Sequence, residues 1–216
     1  SGNNRGIAIF DSGTTGNIVR GNYAGTNLAG TAAIGNNSEG VGIGYGASGN
    51  TVGGTAAGAG NLLSGNGQNG VRIGEGGAGA NVVAGNFIGT NAAGAAALAN
   101  GTHGVWILGG SSGNVIGPGN IVSGNTGNGV QIDASNSNTV SGSRIGTNAA
   151  GTAAIPNGGD GVRIDSASQN IVGTSVGATP GGACTGGCNL ISGNTGHGVR
   201  INGGTSNHVR SGFIGL

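Results

Sequence analysis

The chain has 216 residues, of which 56 are Gly, three are Pro and only 6% are charged, and its formal net charge is +1. Its seven basic residues are all Arg and form no run, which argues against a nucleic-acid partner, where many cations must neutralise phosphate. No stretch approaches the ~18 apolar residues of a membrane-spanning helix, so no membrane insertion is expected. Glycine without a three-residue period excludes collagen, and regularly placed Val and Ile exclude a disordered tail.

The first element opens at Gly6-Ile-Ala-Ile and is followed by Asn17-Ile-Val. The same pair of signatures returns as Gly40-Val-Gly-Ile with Asn50-Thr-Val and as Gly70-Val-Arg-Ile with Asn81-Val-Val. It continues as Gly104-Val-Trp-Ile with Asn114-Val-Ile and Gly129-Val-Gln-Ile with Asn138-Thr-Val. The last two copies are Gly161-Val-Arg-Ile with Asn170-Ile-Val and Gly198-Val-Arg-Ile with Asn207-His-Val. Seven copies of a unit of this length indicate a solenoid, with turns beginning near residues 6, 40, 70, 104, 129, 161 and 198. Residues 1–216 are therefore read as one domain.

Further Asn residues fall at Asn22, Asn61, Asn86, Asn120 and Asn189, with Ser143 as a substitute, and another follows each five positions later (Asn27, Asn66, Asn91, Asn125, Asn148, Asn194). Odd turns then carry an Ala-rich insertion at 28–39, 92–103 and 149–160, whereas even turns are lengthened one corner earlier, at 53–60, 117–119 and 173–188. The repeat is a pair of turns. Within each turn three short runs alternate apolar with polar, the mark of strands. Four inward columns follow, seeded by Val41, Ile43, Val52 and Leu63. Three strands per turn, each paired with its counterpart one turn away, make an all-β parallel β-helix. Parallel crossovers are right-handed as a rule.

The Gly-Val-x-Ile and Asn-x-Val-x-Gly-Asn-x-Ile-Gly-Thr-Asn patterns resemble the right-handed parallel β-helix repeats, pectate-lyase-like in fold, of large secreted bacterial surface and adhesin-like proteins. The resemblance covers the whole chain. It implies an extracellular or cell-surface location and a mechanical role.

The column Asn17, Asn50, Asn81, Asn114, Asn138, Asn170 and Asn207 is expected to be a structural amide ladder at an inward corner. Asp133 and Asp165 should stack on neighbouring turns, where two carboxylates either gain a proton or hold a cation, making them a weak Ca²⁺ candidate. Arg163 and Arg200 on the same strands are the expected neutralisers, and no other cofactor is expected. Arg5 with Glu39, and Asp160 with His197, should pair across turns. Trp106 either stacks on a sugar ring or covers Arg72 by a cation–π contact, and the second is expected because one aromatic makes a poor sugar platform. Cys184 and Cys188 should form a local disulfide, as suits an oxidising compartment. Tyr23, Leu62, Phe87, Ile121 and Leu190 form an outward apolar stripe that is either covered by the Ala-rich loops or serves as a lateral face.

Neither end carries a capping pattern, and the chain stops near the phase at which it starts. Ser1, Gly2, Asn3, Ile7, Ile9, Val209, Phe213, Ile214 and Leu216 are therefore expected to mediate head-to-tail assembly with further copies, or to continue into a longer β-helix. Thirteen charged residues distributed over seven turns make no cleft in sequence. The expectation is a non-enzymatic filament, sheath or adhesin stalk, with cell-surface polysaccharide as a further partner. The alternative is a polysaccharide-acting, lyase-like enzyme or a carbohydrate-binding module.

Overall fold

The computed structural model describes residues 2–175 and 182–215; Ser1 and Leu216 lie outside the described residues. Its strands form three parallel sheets of seven, and no helix occurs among the described residues. Sheet one consists of Ile7–Phe10, Val41–Gly44, Val71–Gly74, Val105–Ile107, Val130–Asp133, Val162–Asp165 and Val199–Asn202. Sheet two starts with Ile18–Val19 and ends with His208–Val209; sheet three starts with Tyr23–Ala24 and ends with Gly212–Ile214. Every strand pairs with the equivalent strand of the next turn. The architecture is a right-handed parallel β-helix.

Register sets like on like. Ile9, Ile43, Ile73, Ile107, Ile132, Ile164 and Ile201 are successive partners on sheet one. Ile73, Ile107, Ile132 and Ile164 are fully buried, as are the matching Val52, Val83, Ile116 and Val140 of sheet two and Leu63, Ile88, Val122 and Ile145 of sheet three. Each such side chain contributes about 1.5–3 kcal/mol by leaving water. A fifth inward column runs through Ala47, Ala78, Ser111, Ser135 and Ala167, all fully buried. Its residues are small and mixed in polarity, a pattern invisible to an apolar periodicity.

Three amide ladders close the corners. In the first, the Nδ2 of Asn17 donates to Oδ1 of Asn50, Asn50 to Asn81, Asn81 to Asn114 and so on to Asn207, at 2.9–3.3 Å. The same oxygen also accepts the backbone N–H of the preceding Asn, for example Asn50 N to Asn81 Oδ1 at 2.9 Å. The second runs Asn22, Asn61, Asn86, Asn120. The third differs from the sequence expectation. It links Asn36, Asn66, Asn100, Asn125, Asn157 and Asn194. Asn27, Asn91 and Asn148 instead bind their own loops, their Oδ1 accepting the N–H of Thr31, Ala95 and Thr152 at 2.9 Å. The odd-turn insertions thus replace one ladder Asn by another at their far end.

Those insertions explain the two-turn repeat. Each folds back on itself through an antiparallel bridge, Thr26 with Ala33, Thr90 with Ala97 and Thr147 with Ala154. A two-layered loop is about two rungs thick, so one loop fills the height of two turns. Successive loops touch: Ala92 N donates to Gly30 O at 3.0 Å and Ala149 N to Gly94 O at 2.9 Å. The wall they form covers much of the apolar stripe, and Leu62 and Ile121 are buried beneath it while Tyr23 remains half exposed. Gly94 sits at φ +62°, and a Cβ there would lie 2.7 Å from both Ala149 Cβ and Phe87 Cε1. Gly94→Val is expected to lower unfolding free energy by about 2–3 kcal/mol in urea denaturation, through left-handed strain and the clash. A midpoint equal to the parent's would contradict this role for the loop.

Candidate functional site

The outer face of sheet one gathers most of the chain's charge. All six acidic residues lie on a sheet-one strand or within two residues of one, with four of the seven Arg, two of the three His, and Phe10, Tyr45 and Trp106. The outer face of sheet two is plain by comparison, with Ile18, Thr51, Val82, Val115, Thr139, Ile171 and His208. Register alone predicts several of these pairs, although the charges are dispersed along the sequence. Because the acidic residues are 5 to 58 positions apart and only the turn register superposes them, the clustering appears when the columns are laid on one face.

Turns four to seven carry a continuous hydrogen-bonded network. Trp106, between Arg72 and Gln131 on the neighbouring strands, donates its Nε1–H to Asp133 Oδ2. The Gln131 amide donates to Asp133 Oδ1 and, at 2.9 Å, to Asp165 Oδ2, so one NH₂ group bridges the stacked carboxylates. Gln131 Oε1 accepts from Asn128 Nδ2. Asn128 Oδ1 accepts the Asp160 backbone N–H at 2.6 Å. Asp165 also receives Arg163 Nε at 2.7 Å and Asn202 Nδ2 at 2.9 Å. Burial works to raise the Asp165 pKa, but the hydrogen bonds from Arg163, Gln131 and Asn202 and the Arg163 charge outweigh it and hold the carboxyl below its usual range.

Of the two neutralisers expected for this pair, Arg163 takes Asp165, whereas Arg200 does neither. Arg200 is the direct strand partner of Arg163, and its Nε makes one long contact, 3.4 Å, to Asn202 Oδ1. Two guanidinium groups thus stand on adjacent rungs, about 4.8 Å apart at the backbone, and among the described residues Arg200 makes no ion pair. Beside them, buried Asp160 holds His197: its Oδ1 accepts the His197 backbone N–H at 2.7 Å and meets Nδ1 at 2.9 Å. The His197 side chain is 66% exposed. Donation from Nδ1–H to the carboxylate leaves a lone pair on Nε2, the orientation a proton acceptor needs. His103 is a different case. Its Nδ1 accepts the Asn128 N–H at 3.0 Å, and burial pushes its pKa down despite the Asp133 charge, so it stays neutral.

Turns one to three hold the remaining groups. Glu39 is buried between Arg5, at 2.8 Å, and Arg72, at 3.7 Å, and Arg72 also reaches Glu75 at 2.7 Å. Arg72 lies over the Trp106 ring at 5.6 Å. Phe10 and Tyr45 meet edge to face, with centroids 5.3 Å apart.

Cys184 and Cys188 are joined at 1.99 Å in the loop before the Asn189–Ile191 strand. Among the described residues no group of three or more His, Cys, Asp or Glu could hold a metal ion, and the Gln131 amide occupies the place between Asp133 and Asp165 where a cation was considered. Of the residues expected at the ends, Ile7 and Ile9 lie on the first turn and Val209, Phe213 and Ile214 on the last; Val209 and Ile214 are exposed. No helix among the described residues is long and apolar enough to cross a membrane.

No protein-family model matches the chain, and no curated protein does either. Among solved structures it is similar to the periplasmic alginate epimerase AlgG, with TM-score 0.53 and 14% identity over 81% of this chain and 37% of that one. It is similar also to a double mutant of AlgG (TM-score 0.60, 17% identity) and to a single mutant (0.58, 15%), each over 96% of this chain and 47% of that one. Those chains are enzymes. At this identity the likeness carries the fold, and the chain spans less than half the length of the structures it matches. Two expectations from sequence are overturned: that the chain is a filament, sheath or adhesin stalk, and that it is not an enzyme. The structural neighbours are a polysaccharide-modifying enzyme, and charges that are distributed over seven turns in sequence come together on sheet one, acids beside basic groups.

Proposed function

We propose that the chain belongs to a polysaccharide-modifying enzyme whose substrate is an acidic glycan built of uronate sugars, bound across the outer face of sheet one. The observation that carries this reading is the Arg163–Arg200 pair beside the Asp160–His197 dyad. A uronate has a hydrogen at C5, next to its carboxylate, and removing it places negative charge on the carboxylate oxygens. Arg200 pairs with that carboxylate, with the Asp165-bound Arg163 beside it, so the electron pair of the broken C5–H bond can move onto it. His197 Nε2 takes the proton while Asp160 steadies the ring. Returning a proton to the opposite face inverts C5; expelling the sugar linked through O4 instead leaves an unsaturated end. Both outcomes share the first step.

The alginate epimerase named above supports the polymer class by its fold, and the disulfide supports export from the cytoplasm, to the periplasm or the cell surface. The test is incubation of polymannuronate and polygalacturonate with the protein in D₂O, read by proton NMR. Loss of the C5 proton signal is expected, and Arg163→Ala/Arg200→Ala should reduce its rate by at least about 100-fold. No exchange in any polyuronate, even where one binds, would overturn the enzymatic reading.

A further inference from the structure

At the corner after each sheet-one strand the backbone is left-handed in all seven turns, with φ between +44° and +77°. Gly109 and Gly203 occupy it in two turns, the compact Ala134, Ser166 and Asp11 in three, and Glu75, at φ +58°, in turn three. Turn two places Tyr45 there, at φ +54°, and leaves the side chain 52% exposed. A bulky aromatic in this conformation is strained, and an exposed one gains little packing in return. Its ring is nevertheless held in place. Phe10 leans across turn two, whose outward positions are both glycine; a Cβ at Gly42 or Gly44 would come within 3.5 or 3.3 Å of the Phe10 ring. The Arg5 guanidinium lies 5.1 Å from the Phe10 centroid, and the Phe10 ring meets Tyr45 edge to face. On the next turn, Arg72 and Glu75 put an ion pair beside the same corner, and the Tyr45 side chain hydrogen-bonds to Glu75.

We infer that Tyr45, backed by Phe10, is a sugar-stacking subsite that takes the C–H face of a pyranose ring of the same glycan, away from the carboxylate-reading arginines. This rests on the uronate reading above. Tyr45 on turn two and Arg200 on turn seven are five rungs apart, about 24 Å along the coil, so one extended glycan reaches both and a short oligosaccharide reaches only one. The face then has two ends of different chemistry: an aromatic end that reads the ring and an arginine-bearing end that reads the carboxylate. The strain at Tyr45 is retained because glycine would fit the corner and bind nothing.

Calorimetric titration with uronate oligomers of increasing length tests this on the full chain, with Tyr45→Gly and Tyr45→Phe alongside thermal melts. Tyr45→Gly relieves the backbone strain and loses the Phe10 and Glu75 contacts, so it is expected to melt close to the parent, yet to bind long oligomers about tenfold more weakly. Short oligomers should bind it unchanged, and Tyr45→Phe, which keeps the ring, should bind long oligomers as the parent does. Unchanged affinity of Tyr45→Gly for long oligomers would remove the subsite and leave the uronate reading standing. A lowered melting temperature with equal loss for long and short oligomers would make Tyr45 a packing residue and also overturn it. If the parent binds neutral oligosaccharides through Tyr45 but no uronate, the subsite stands and the acidic-substrate reading falls. Binding of neither overturns both.

Discussion

Ile132→Asp will lower the unfolding free energy by about 4 kcal/mol or more, because it puts an unpaired carboxylate into a column where every neighbour is apolar. Ile132 is fully buried and lies between Ile107 and Ile164 on the adjoining strands. No basic residue shares that column, so nothing compensates the charge. Thr139→Asp, on the outward face of sheet two in the same turn, should change stability by less than about 0.5 kcal/mol. Urea denaturation of the two variants reads the difference directly. Equal midpoints would contradict the inward assignment of the isoleucine column.

The second large effect is on chemistry. His197→Gln should cut the rate of C5–H exchange in a polyuronate by about 10²–10⁴-fold, the usual contribution of a positioned proton acceptor. Its melting temperature should stay near the parent's, because the side chain is two-thirds exposed and its one described side-chain partner is Asp160. Asp160→Asn keeps the size of the orienting group but removes its charge, and it too should slow exchange. Its effect on stability should be larger, since Asp160 is buried and accepts the His197 backbone N–H. An exchange rate in His197→Gln equal to the parent's would remove the dyad from the mechanism.

The coil itself was legible because its forces are local to a column. Ile stacks on Ile and Asn on Asn, and the spacing of Gly-Val-x-Ile to Asn-x-Val shows the register without any three-dimensional information. Legibility failed where an insertion intervened. Asn36, Asn100 and Asn157 take the ladder positions that Asn27, Asn91 and Asn148 hold in a simple count, because a folded-back loop returns the chain to the corner nine residues later. The candidate site was half readable. The Arg5–Glu39 and Asp160–His197 pairs and the cover of Arg72 by Trp106 follow from register alone. The Gln131 bridge does not, since it depends on a side chain leaning along the coil to two carboxylates. Low overall charge also misled. A 6% charged composition describes the whole chain, whereas its chemistry is concentrated on one of three faces.

With no lysine and only seven Arg, the arginine Nε–Hε region of a ¹H–¹⁵N spectrum is simple enough to follow through a glycan titration. Arg163 and Arg200 stand on sheet one, whereas Arg20, Arg144 and Arg210 stand on or beside the other two sheets. Adding a long polyuronate oligomer should shift the Arg163 and Arg200 signals in proportion to occupancy and leave Arg20, Arg144 and Arg210 where they were. Shifts confined to those three, or no shift at all at saturating glycan, would contradict the placement of an acidic polysaccharide on sheet one.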